Sequence, residues 1–491
     1  MTLRDEMRRM QEHQRATIEP LIAPVCLPFH SDEELERLRT ATLWVLENVG
    51  VRFPSPPALE LLAANGAHVE SASQVVRFPP DLVLCAMANV PRDFLLGARN
   101  QALDVQLQTG VTFFCNDGCG TLVREADGGS RPSTKADVAA AARLCDALSS
   151  VAFLWPLVAA QDCGSTASLH EIEALWTNSA KHVQGFVQGR TAARYAIEMA
   201  TVTAGSEAER RRRPPLSALL CTVSPLMQDR EAIEAALEFA KAGIPVGFKS
   251  MPTLGTTAPA TMAGSFAVAD AEVISATVLV QLAAPGAAVF HSILPEACDP
   301  RTGNYVAKPL NRSGRQLAIE IAHHWGMSSQ AGVFGTAASQ PGTWQSASEV
   351  AIDSYLAASS GAEMAEGIGL TEGSTTLALE SLLLDSDIYH RARYALVRPE
   401  ISEETLALDS IAAVGPGGHF LSTKHTRRHL PSAMVSGLQH ELGADGKYRD
   451  PVAVARERAE WILANHEPEP LGEDKRSELA LILASAKREL H

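Results

Sequence analysis

The chain has 491 residues, 46% of them hydrophobic and 20% charged, with a formal net charge of −15. Such a composition provides for a large buried core and excludes a disordered chain. The acidic balance argues against a general nucleic-acid binder, which must neutralise phosphates with Lys and Arg.

The amino-terminal stretch MTLRDEMRRMQEHQR is charged and lacks the apolar region of a signal peptide. No uninterrupted apolar run reaches the roughly 18 residues of a membrane span. The eight cysteines are scattered, and Cys115 and Cys119 are too loosely spaced for a zinc knuckle. Reduced thiols in a cytoplasmic protein without a membrane segment are the expectation. No His-Glu-x-x-His or Cys-x-x-Cys cluster is present, so no metal site is expected, and no glycine fingerprint for a dinucleotide follows a strand.

Residues 31 to 48 read as an amphipathic helix that Ser31 or Asp32 can cap, closed by Gly50. A short helix over 57–64 and another from Pro79-Pro80 follow, with short extended pieces between them. This mixed region, 1–108, is read as an α+β extension. The run Arg210 to Arg213 reads as a solvated loop.

From residue 109 an alternation begins. Strands are expected at 111–116, 151–159, 182–187, 217–223, 246–250, 288–292, 328–333 and 362–366, and helices at 137–148, 169–179, 191–204, 229–242, 260–283, 314–325, 345–359 and 374–396. Strands apolar on both faces suit a parallel sheet covered by helices. Eight β/α units over 109–400 fit an α/β fold of the TIM-barrel type, a (β/α)8 barrel, with an open doubly wound sheet as the other arrangement. Residues 401–491 form a glycine-rich turn and a helical tail.

In a barrel, the loops after the strands build the active site. They hold Asn116-Asp117, Asp162, Ser224-Pro225-Leu226, residues 252–259, His291, Gly332 to Trp344, and Glu366 to Gly373. The stretch GTTAPATMAG (255–264) is small, uncharged and placed where the fifth strand turns into its helix. Pro259 suits a first helical turn, with Thr256 and Thr257 at or before the cap, so the free N–H groups there favour an anion such as a carboxylate. The same small residues also serve close packing of helix on sheet. Lys181-His182 starts the third strand, at the end of a barrel that usually carries stability.

Long motifs add a resemblance. Ser224-Pro225-Leu226, Gly243 to Pro245, GTTAPATMAG, AEVISATVLVQLAAPGAAV (271–289), Gln345-x3-Glu349 and VGPGGHFLSTKHT (414–426) resemble the trimethylamine methyltransferase family, as do LENVGVRFPSPPALELLAANGAHVE and ERAEWILANHEPEPL. The resemblance runs over nearly the whole chain. It implies a (β/α)8 barrel that transfers a methyl group from a quaternary or N-methylated amine, such as glycine betaine, to the Co(I) corrinoid of a separate carrier protein. A homo-oligomer is implied too. No pyrrolysine is present, which points away from trimethylamine. The loop GTAASQPGTWQSASE lacks the Asp-x-Lys that relatives often carry, and Phe290-His291 stands where they usually have a small residue.

On that reading Asp162 and Glu366 are acid candidates for an ammonium. His291 is a candidate for contact with substrate or corrinoid, with a histidine satisfied by its own neighbours as the other reading. Gln345 and Glu349 are candidates to line the substrate cavity, with capping or stiffening of their loop as the other reading. Phe334, Trp344, Tyr305 and Phe290 are cage candidates, with plain packing as the other reading. Ser224, Gly255, Thr256, Thr257 and Gly332 would face the corrinoid at the mouth. Gly417, Gly418, His419 and His425 would face the corrinoid or its carrier, or form a structural turn. A barrel enzyme of other chemistry and a non-catalytic amine-binding subunit are the alternatives.

Overall fold

A computed structural model of the chain describes residues 16–22, 26–125, 128–303, 309–332, 336–433 and 437–490. The cage candidates Phe334 and Tyr305 lie outside the described residues. Eight parallel strands alternate with eight helices. The strands are β1 (Val111–Asn116), β2 (Phe153–Leu154), β3 (His182–Gly185), β4 (Leu216–Cys221), β5 (Val246–Ser250), β6 (Val289–Ile293), β7 (Gln330–Gly332) and β8 (Met364–Ile368). The helices are α1 (Lys135–Ala147), α2 (Ala167–Asn178), α3 (Arg190–Ala204), α4 (Arg230–Lys241), α5 (Met262–Ala283), α6 (Pro309–His324), α7 (Trp344–Ser359) and α8 (Leu379–Ala395).

The ladder runs β6-β5-β4-β3-β2-β1-β8-β7. A parallel bridge between His291 and Ser329 joins its two ends and completes the barrel. Strand alternation sorts the side chains. Phe113, Cys115, Phe153, Trp155, Leu219, Phe290 and Met364 cluster together inside. Their neighbours Phe114, Leu154, Leu220, Phe248 and Ala365 belong to the larger core against the helices. The interior is packed tightly enough to require Gly247, because a Cβ there would lie 1.8 Å from the Phe290 ring.

The expected strand over 151–159 is much shorter, at two residues. Asn116 explains this. Its side-chain amide accepts from the Trp155 N–H (3.0 Å) and donates to the Trp155 carbonyl (2.5 Å), taking the place of a neighbouring strand, and Pro156 follows. The eighth helix starts at Leu379 rather than 374. Glu372, Gly373 and Ser374 all have positive φ, and Leu370–Thr371 pairs back on Thr376–Leu377 as a hairpin. That hairpin joins Leu122–Arg124 and Ser130–Pro132 in a four-stranded sheet made from the loops after β1 and β8.

The N-terminal region closes the other end of the barrel. Leu96, Val105 and Leu107 of the hairpin Phe94–Leu96/Val105–Leu107 join the interior cluster from below. Helices Asp32–Trp44 and Pro80–Met87 pack on α5. This second covering leaves α5 buried on nearly every side. It is long and apolar enough to cross a membrane by length and composition, yet most of it is buried in the fold. Ser31 caps the helix Asp32–Trp44 in a capping box with Glu34. Lys181 is fully buried, and its ammonium donates to the carbonyls of Cys145 (2.8 Å), Leu148 (2.7 Å) and Val151 (2.6 Å), tying off the end of α1. Burial lowers its pKa to about 8.

Candidate functional site

The barrel interior changes from apolar to polar on going from its floor to the carboxyl ends of the strands. Four side chains from four strands meet there. The Lys249 ammonium (β5) forms an ion pair with Glu366 (β8). Gln330 (β7) donates to the other Glu366 oxygen and exchanges two hydrogen bonds with Gln184 (β3), at 2.9 and 3.0 Å. These strands are not all neighbours in the ladder, so the contacts cross the interior. Lys249 and Glu366 are 3% and 2% exposed, which places both charges out of water. Burial lowers the Lys249 pKa, against the pull of neighbours that include Asp117. The ammonium also lies 5.5 Å from the centroid of the Trp155 ring, within cation–π range. Gly118 admits that ring, since a Cβ there would meet it at 2.4 Å.

Above this layer, Asp117 accepts from the Gly118 N–H (2.8 Å) and from the Ser374 hydroxyl (2.5 Å). The latter bond links the end of β1 to the hairpin after β8. Behind it, Asp385 of α8 accepts from the Gly369 N–H at 2.9 Å, and burial raises its pKa to about 7. The Cys115 thiol, also inside, is pushed well above its usual range by burial, so it is a neutral thiol rather than a thiolate nucleophile.

Of the residues expected from sequence, Glu366 stands in this layer. His291 points away from it: its Nε2 lies 2.8 Å from Asp270 Oδ1 on α5, and Asp270 Oδ2 accepts from Thr42 (2.7 Å) and Trp325 (2.9 Å). One residue of alternation along β6 sends Phe290 inward and His291 to the helices, where it ties the N-terminal helix to the barrel. Asp162 is also elsewhere. It is exposed, and its carboxylate accepts from the Lys135 N–H (2.8 Å) at the start of α1. Trp344 is 87% exposed at the start of α7, and no cage forms around it among the described residues. Gln345 donates to Glu349 (3.0 Å), which accepts from the Thr336 hydroxyl (2.6 Å) and the Ala337 N–H (2.9 Å). Both residues therefore stiffen the loop after β7.

Ser224 donates to Glu272 (2.9 Å), together with Thr222 (2.6 Å) and Ser250 (2.7 Å), while the Leu226 N–H adds a fourth bond (2.8 Å). That ring of donors aims its hydroxyls at α5. The α5 cap is Thr261, not Thr256 or Thr257. Residues 253–258 form a turn of their own: the Thr256, Thr257 and Ala258 N–H groups all donate to the Thr253 carbonyl (3.1, 3.0 and 3.2 Å). The free helix-start donors expected at Thr256 and Thr257 are thus spent inside the turn. Gly255 and Thr256 remain exposed. Gly332 ends β7, opposite Glu366 in the register. Gly417, Gly418 and His419 lie in an exposed turn, Gly418 close under the Val414 carbonyl, and the His425 ring lies tilted against His429 with centroids 4.3 Å apart. No residue between 393 and 430 is buried.

Sequence reasoning missed Lys249, Gln184, Gln330 and Trp155. One signal was available: a lysine in the apolar strand VGFKS must pair with something, and Glu366 was the acid already in view. No cluster of three or more His, Cys, Asp or Glu able to hold a metal exists among the described residues.

Comparison with known proteins agrees with the motifs. The family model for trimethylamine methyltransferase (MTTB) matches residues 3–491. The chain is 32% identical to trimethylamine methyltransferase MttB of Desulfitobacterium hafniense, covering 94% of each chain. It is 30% identical to MttB of Methanosarcina barkeri, covering 94% of this chain and 96% of that one. It is 25% identical to a glycine betaine methyltransferase of D. hafniense, covering 94% and 97%. The solved monomethylamine methyltransferase (MtmB) of M. barkeri aligns over 99% of this chain and 97% of its own, at 13% identity and a TM-score of 0.48. This protein belongs to the trimethylamine methyltransferase family.

Proposed function

We propose that the protein moves a methyl group from a quaternary or N-methylated amine of betaine type to the Co(I) corrinoid of a carrier protein, in the cytoplasm. The observation that carries this reading is one cation position, now held by the Lys249 ammonium, that has the Glu366 carboxylate on one side and the Trp155 ring 5.5 Å away on another, all three buried at the carboxyl ends of the strands. A carboxylate and an aromatic face are what a compact onium ion requires. The corrinoid, when docked, supplies the nucleophile, so the chain itself needs no Ser, Cys or Lys for attack. Breaking the C–N bond leaves both electrons on nitrogen, and a quaternary nitrogen departs as a neutral amine. No general acid is needed, and the residues need only bind, orient the methyl group and exclude water.

The rim fits a flat group at the mouth. Gly255 and Thr256 are exposed there, with Val223 and Met251 37% and 38% exposed. Small and apolar residues leave room for close approach of a macrocycle. The turn with Gly417, Gly418, His419 and His425 is the proposed carrier-facing surface, and a homo-oligomer is the proposed assembly. The division into an α+β extension (1–108), the barrel (109–400) and a tail (401–491) goes with this reading.

The test is spectroscopic. Free cobalamin is reduced to Co(I), the protein is added, and glycine betaine, proline betaine, carnitine, γ-butyrobetaine, choline and trimethylamine are offered in turn. Loss of the Co(I) band with one or a few of the quaternary amines is expected. Silence across the panel, repeated with a cognate carrier protein, would remove the corrinoid reading.

A further inference from the structure

The buried ion pair between Lys249 and Glu366 has a consequence for which amine the site accepts. An onium group that takes the place beside Glu366 and Trp155 must displace the Lys249 ammonium already there. Lys249 cannot follow solvent outward without cost, being 3% exposed inside the barrel. Breaking a buried pair and leaving one partner uncompensated is strongly unfavourable. A ligand that brings its own carboxylate removes the difficulty, because each buried charge regains an opposite partner.

A second observation points the same way. The Trp155 indole N–H is buried and has no hydrogen-bond acceptor among the described residues. The residue that offers an aromatic face thus also offers an unspent donor. A carboxylate can accept from it and from Lys249. The amide chain Gln184–Gln330–Glu366 holds the anionic side of the slot in place, since Gln330 donates to Glu366 while both its own amide groups are engaged with Gln184. The position is within reach of the mouth: Met251, two residues beyond Lys249, is 38% exposed.

We propose that Lys249 and Glu366 form a charge lock that selects zwitterionic amines, Lys249 taking the substrate carboxylate while Glu366 and Trp155 take the quaternary ammonium. Amines that carry the same cation without a carboxylate are rejected because they strand the Lys249 charge. This rests on the reading of the barrel as a methyltransferase site for amines of betaine type, and it adds the residues that enforce that class.

Isothermal titration of the full-length protein separates the possibilities. Glycine betaine and γ-butyrobetaine are compared with choline and tetramethylammonium. The zwitterions are expected to bind about a hundredfold or more tightly than the two plain cations, the scale of an uncompensated buried charge. In Lys249→Met the zwitterions should lose that advantage, while choline, with no ammonium to displace, should bind better than to the wild type. Lys249→Arg should restore part of the preference. Equal affinity of wild-type protein for choline and betaines would overturn the charge lock, and needs no variant. A uniform loss for every ligand in a folded Lys249→Met protein would overturn it as well. Selective zwitterion binding without any loss of the Co(I) band would sustain the lock and remove the methyl-transfer reading. Methyl transfer from choline as readily as from betaine would do the reverse. No binding by any of the four ligands would remove both.

Discussion

Asp385→Asn is a perturbation whose effect changes with pH in a calculable way. Asp385 is buried on α8, accepts from the Gly369 N–H at 2.9 Å, and has its pKa raised to about 7 by burial, with Asp117 adding to the shift. Its unfolded value is near 3.8. Between these two values the native state holds a proton that the unfolded state has released. Stability from this group is therefore full below about pH 4, falls as pH rises, and is lost once pH passes 7. A shift of this size corresponds to about 4 kcal/mol in all, of which about 3 kcal/mol lies between pH 5 and pH 8. The amide of Asn carries no charge at any pH and keeps an oxygen to accept from Gly369. Its stability relative to wild type should thus rise by up to about 3 kcal/mol on going from pH 5 to pH 8. Urea unfolding followed by circular dichroism at both pH values measures it, and groups common to the two proteins cancel in the difference. If the two proteins show parallel stability profiles from pH 5 to pH 8, or if the variant loses ground at pH 8, the reasoning about burial is wrong.

Two further predictions concern the framework. Lys181→Met removes the ammonium that satisfies three buried carbonyls at the end of α1, and should destabilise the fold by about 3 to 5 kcal/mol in urea titration; an effect below about 1 kcal/mol would mean those carbonyls find other donors. Glu349→Ala removes the acceptor for the Thr336 hydroxyl and the Ala337 N–H. Hydrogen exchange at Ala337 should speed up about tenfold or more, the scale of a charged hydrogen bond, and unchanged exchange would show that the loop after β7 is held by something else.

Much of the barrel was legible along the chain because its signal is local and repeated. The run Leu216–Cys221 is apolar over most of its length, and the helix Arg230–Lys241 that follows it carries a recognisable cap at Asp229. The family was legible too, through long motifs. What the sequence could not determine was the direction of individual side chains. His291 and Phe290 are adjacent, and only the strand's register against its neighbours decides that Phe290 enters the barrel and His291 joins Asp270. Likewise the turn at residues 253–258 uses its own N–H groups, so α5 begins later than Pro259 suggested. The pairing of Lys249 with Glu366 joins residues 117 positions apart on non-adjacent strands. Closure of the barrel brings them face to face, because a side chain that alternation turns inward meets whatever the opposite wall presents at the same height. Composition and periodicity therefore determined eight β/α units and admitted both a barrel and an open sheet; closure into a barrel, and the charge chemistry inside it, were decided by the tertiary structure alone.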